Sequence, residues 1–133
     1  MKYVILGLVV VHLAASIWHG AAHTTLGIDL TTLQSLFVYI VILATPIVSA
    51  ALVWTRFTLL SVGIFAFSMT GALVFGVFYH YVHVSPDNIA HLPAGLIDAQ
   101  TQFIQSAALI ANIELFAASA GFFMLGQVYR ASR

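Results

Sequence analysis

There is no cysteine in this chain, which excludes disulfides, thiolate nucleophiles, iron–sulfur clusters and Cys-based zinc sites. Charge is almost as scarce: four Lys and Arg against four Asp and Glu, 6% of 133 residues, cancelling to zero. A water-soluble domain of this size needs far more charge on its surface. The lack of any basic cluster excludes nucleic acid as a partner class. Met1, Met69 and Met124 are the only methionines, too scattered for a thioether-lined copper(I) path. A metal in this chain therefore has His, Asp and Glu to bind it.

Hydrophobic residues make up 62% of the chain, and they gather into four apolar runs, about 3–22, 33–54, 57–83 and 100–129. Each meets the roughly 20 residues an α-helix needs to cross ~30 Å of hydrocarbon. None alternates with the period of two that a membrane barrel strand shows. The expected fold is an all-α integral membrane protein, a single membrane domain over 1–133 built as a four-transmembrane-helix bundle in the lipid bilayer. The opening stretch fits a signal peptide only loosely, and is expected to stay as the first span.

Orientation follows from the few cations. Lys2 precedes the first span, Arg56 lies between the second and third, and Arg130 and Arg133 follow the fourth. Four spans put all of them on one side, so the positive-inside rule predicts cytoplasmic N- and C-termini in a plasma or inner membrane. Two longer connections, 24–29 and 85–96, fall on the opposite face. Thr31 and Gln34 have capping-box spacing at the start of the second span. Pro46 is expected to kink that span, Pro86 to end the third, and Asp98 to cap the fourth.

Five of the six histidines then collect at the extracytoplasmic end. His19 and His23 are four residues apart, His80 and His83 three apart, and His91 sits in the second connection. Each helical pair can aim two imidazoles at one place, as bundles do when they hold metals. His19, His23, His80, His83 and His91 are the expected ligands of Zn, Cu or Fe, with Ser16, Asp87 and Asn112 as orienting groups. Gly20 and Gly76 would also leave room for the flat face of haem b. A plainer account treats these histidines, with Trp18, Tyr79 and Tyr81, as an interfacial belt.

His12 and Glu114 fall near the bilayer midplane, where a lone ionisable group is costly and needs a partner. Each is expected to be the other's. On the fourth span, Asp98, Gln105, Asn112, Ser119 and Gly126 recur every seven residues and are expected to face the bundle. Glu114 shares a different face with Ala107, Ala111, Ala118 and Gly121, small residues that permit close helix approach.

Three functional readings follow. One is a metal or haem module in electron transfer or metal handling. The second is an accessory subunit beside other membrane subunits or in a homo-oligomer. The third is a quinone- or proton-handling protein using His12 and Glu114. No zinc-protease pattern supports an enzyme, because His-x3-His here lacks the intervening Glu.

Overall fold

The computed structural model describes residues 1–133. Four helices carry the chain: α1 (Lys2–Leu26), α2 (Thr32–Leu52), α3 (Thr58–Val82) and α4 (Ile97–Ala131, 35 residues). All are long and apolar enough to cross a membrane. Phe67 is 66% exposed, Phe116 65% and Phe123 64%; rings in water at that density would be a large unfavourable patch, whereas in lipid they are solvated.

Local chemistry sets the helix limits. Gly27, at φ 63°, turns left-handed and closes α1, its own N–H and that of Ile28 donating to the carbonyls of Thr24 and His23. A side chain would be strained at that φ. The capping box of α2 is formed: the Gln34 N–H donates to Thr31 Oγ1 (3.3 Å), and the Thr31 N–H donates to Gln34 Oε1 (2.7 Å). Asp98 is not the cap of α4. Leu96 holds that position, and Asp98 lies in the first turn, where its charge still complements the helix dipole.

Two stretches widen from α to π geometry. Val38–Ala44 in α2 ends where Pro46, without an N–H, enters the next α-helical turn. Phe78–Val82 closes α3. Both widened turns flank the cavity described below.

The buried stripe of α4 runs Ala99, Phe103, Ser106, Ala107, Glu114, Ala117, Ala118, Gly121 and Met124. Asp98, Gln105, Asn112 and Ser119 are exposed on its outer face, contrary to the seven-residue expectation. The stripe follows the 3.6-residue period of a straight helix, carried by small residues. α4 packs on α1 and α3, and α3 on α2; α1 meets α2 through Thr45–Leu52. Buried Ser49 and Ser61 clasp α2 to α3, each hydroxyl donating to the other's carbonyl, at 2.9 and 2.8 Å.

The apolar core comes in two parts. One, around Ile5, Val9, Phe65, Met69 and Ala117, fills the end that bears the arginines. The other, around Ala22, Leu26, Phe103 and Ala107, fills the histidine end. Along α1 and α4 the polar residues His12, Ser16 and Glu114 fall between them.

Gly121 is the closest approach between α3 and α4. A Cβ there would lie 2.9 Å from the Cα of Ala66, so backbone must move. Gly121→Ala is expected to cost roughly 1–3 kcal/mol, read as a lower unfolding midpoint in detergent with helix content retained.

Candidate metal centre

α1 supplies two adjacent imidazoles because His19 and His23 are one turn apart and Gly27 ends the helix just beyond them. α3 supplies the third from its π-helical last turn, where His80 is buried. The segment after α3 folds back over this point: the Ile89 N–H donates to the His80 carbonyl and the Asn88 side chain to the His83 carbonyl, both at 3.0 Å. That fold buries Asp87 to 5% exposure.

The ring nitrogens converge. His19 Nε2 lies 3.1 Å from His80 Nε2 and 3.1 Å from His23 Nε2, and the ligand atoms of all three lie within 4.8 Å of one another. A tetrahedral ion with metal–nitrogen bonds of about 2.0–2.1 Å holds its ligand nitrogens about 3.4 Å apart. The group is therefore close to the spacing one small ion requires, and it could hold a metal ion.

Hydrogen bonds assign the tautomers. The Ser106 hydroxyl donates its one proton to the Gln102 carbonyl (2.7 Å), so its oxygen accepts from the Nδ1–H of His19 (2.9 Å). The Nδ1–H of His80 donates to the carbonyl of Asp87 (3.0 Å). Both rings therefore turn an unprotonated Nε2 toward the other. Two lone pairs at 3.1 Å repel unless something positive lies between them.

Asp87 supplies the balancing charge. Its Oδ1 is 3.2 Å from His23 Nε2 and 3.2 Å from His80 Nδ1, and neither carboxylate oxygen has an aligned hydrogen-bond donor. Phe103 closes the side, its ring centroid 4.7 Å from that of His19 and 5.0 Å from that of His23.

His83 and His91 are not brought to this point. The wide last turn of α3 takes His83 off the stripe of His80, its backbone is already extended (φ −77°, ψ 124°), and the exposed ring stacks on Phe78. His91 is exposed and nearest to Asn88. Asn112 faces away from the bundle and bonds the Ala108 carbonyl, and Ser16 bonds the His12 carbonyl at 2.8 Å. Ser106, Phe103 and Gln102 were not singled out in the sequence. Ser106 could have been found as the residue two turns from Glu114 on the small-residue face of α4.

The geometry does not support haem b. Bis-imidazole ligation needs two Nε2 atoms on opposite faces of a macrocycle, about 4 Å apart, twice a bond of about 2 Å. His19 and His80 are closer than that, at 3.1 Å, with the His23 ring beside them.

Deeper in the bundle, His12 Nε2 and Glu114 Oε1 lie 3.1 Å apart with both side chains buried. A cavity of about 550 Å³ joins the two levels. Its lining runs from Asp29 and Leu30 past His19, His23 and His80 to Ser16 and Glu114.

No family model matches the chain, and neither curated proteins nor solved structures give a match.

Removing one member of a buried pair strands the other. His12→Ala or Glu114→Ala alone is expected to cost about 3–5 kcal/mol, and the apolar double replacement His12→Phe/Glu114→Leu less than the sum. Equilibrium unfolding of the three variants measures both.

Proposed function

We propose that this chain is an integral membrane metal-binding protein in metal handling. It holds one divalent transition metal ion, Zn(II) or Cu(II), through the Nε2 atoms of His19, His23 and His80. The observation that carries the reading is the pair of Nε2 atoms 3.1 Å apart, each ring held by a hydrogen bond on its far side. Imidazole suits both ions, and the Nδ1 partners Ser106 and Asp87 act as orienting groups whose loss weakens metal sites. Asp87 also offsets the ion's charge. With Lys2, Arg56, Arg130 and Arg133 at the other end, the positive-inside rule puts this site on the extracytoplasmic side.

Calorimetric titration of the full-length protein in detergent is expected to give one Zn(II) or Cu(II) per chain. His19→Ala and His80→Ala abolish binding, and Ser106→Ala weakens it by about 10–100-fold. His83→Ala and His91→Ala leave it unchanged. Protons compete for the same lone pairs, so affinity falls as pH is lowered. Stoichiometric binding that survives His80→Ala would remove the proposal.

A second reading, a subunit of a larger membrane assembly, has one observation in its favour. Gln105, Asn112 and Ser119 form a polar row on the exposed face of α4, and polar side chains in lipid commonly bond across helices. Asn112→Leu is then expected to lower the apparent mass of the native particle on a sizing column; an unchanged mass counts against it.

A further inference from the structure

The cavity beneath the histidines is larger than a metal ion needs. At about 550 Å³ it lies within the range of about 300–1,000 Å³ typical of small-molecule sites. Its walls are mostly apolar, with Ile42, Phe75 and Ile110 among them. Phe75 is held flat against Phe37, centroids 4.8 Å apart and planes 9° apart.

The deepest lining positions on α1 and α4 are Ser16 and Glu114. Glu114 is 2% exposed. Its Oε1 is taken by His12, while Oε2 is buried with no hydrogen-bond partner. A buried acceptor left without a donor is costly. Gly76 faces this oxygen: a Cβ at that position would lie 3.8 Å from it, in ordinary van der Waals contact, so the missing side chain leaves that approach from the cavity unobstructed.

The lining also selects by charge. Asp29, Asp87 and Glu114 are present and no Lys or Arg is, which disfavours an anion. Access comes from the side. α1 meets α2 through Thr45–Leu52, while the π-helical half of α2 leans on α3. Tyr39, on that half, both lines the cavity and is 66% exposed. The gap between α1 and the outer half of α2 therefore opens toward lipid.

We propose that this cavity binds a neutral, bilayer-soluble aromatic alcohol of the phenol or hydroquinone class, entering between α1 and α2 and donating its hydroxyl hydrogen to Glu114 Oε2. The ring lies against Phe75 and Ile110. The site is independent of the metal: its anchor is Glu114, and the histidines form the far wall.

The test uses the full-length chain in lipid nanodiscs with chelator present, so its outcome does not bear on the histidine site. Trimethylhydroquinone and its dimethyl ether are titrated by ligand-observed NMR. The hydroquinone is expected to bind saturably at one per chain, and the ether, which has lost the donor, about tenfold or more weakly. Glu114→Gln replaces the carboxylate by a neutral amide of nearly the same shape, and is expected to bring the hydroquinone down toward the ether. Ala111→Phe, which places a large apolar side chain in the cavity from α4, is expected to remove binding of both. Equal binding of hydroquinone and ether, binding indifferent to Glu114→Gln, binding that persists in Ala111→Phe, or no saturable binding would each overturn the proposal. The comparison of the two compounds on the unaltered protein decides the point even if a variant does not fold.

Discussion

Two hydrogen bonds on the far sides of two rings decide what this molecule can do. Ser106 holds Nδ1 of His19, and the Asp87 carbonyl holds Nδ1 of His80. Each leaves its other nitrogen unprotonated and aimed at a common point. In water such an arrangement would relax by rotating a ring or recruiting a solvent molecule. Between helices in hydrocarbon the alternatives are few, because every polar group must find its partner within the protein. The segment after α3 is built around this demand: Asn88 and Ile89 tie it back to the helix end, which delivers the Asp87 carbonyl to His80 and its carboxylate to His23.

The same constraint explains the division of the core. Apolar side chains fill both ends of the bundle, and the polar residues of α1 and α4 fall between, where His12 and Glu114 satisfy one bond of each other. Small residues make this possible. Gly121 against Ala66 brings α4 close to α3 at the arginine end, while the widened turns of α2 and α3 keep the helices apart at the other. Close packing at one end and a cavity at the other are two results of one distribution of side-chain volume.

Much of this could be read from the residues. Four long apolar runs separated by short polar connections admit few structures other than four helices in a membrane, and two ionisable groups at matching depth have little choice but to meet. His19 and His23 follow from helical spacing, as does the capping box at Thr31. His83 was illegible because a π-helical turn changes the angle between residues three apart, and nothing in Phe78–Val82 announces one. The companion turn in α2 at least has Pro46 after it. The seven-residue row on α4 misled because sustained heptads describe supercoiled helices, whereas the small residues at Ala107, Ala118 and Gly121 let α4 pack straight. Ser106 gives little sequence signal, since a serine in an apolar helix usually bonds its own backbone, as this one also does.

The length of α4 has a mechanical consequence. Thirty-five residues at about 1.5 Å each make a rod about 52 Å long, against a hydrocarbon layer of about 30 Å. Its last turns carry Gln127 and Arg130 at one end and Asp98, Gln100 and Gln102 at the other, polar residues suited to the headgroup regions that a helix of this length can reach at both faces. Of the three shorter helices, α1 and α3 pack along this rod and α2 packs on them. A thicker or thinner bilayer changes how far the rod protrudes, and the tilt of its neighbours, without exposing its polar ends to oil. A helix longer than the layer is one way to accommodate bilayers of different thickness.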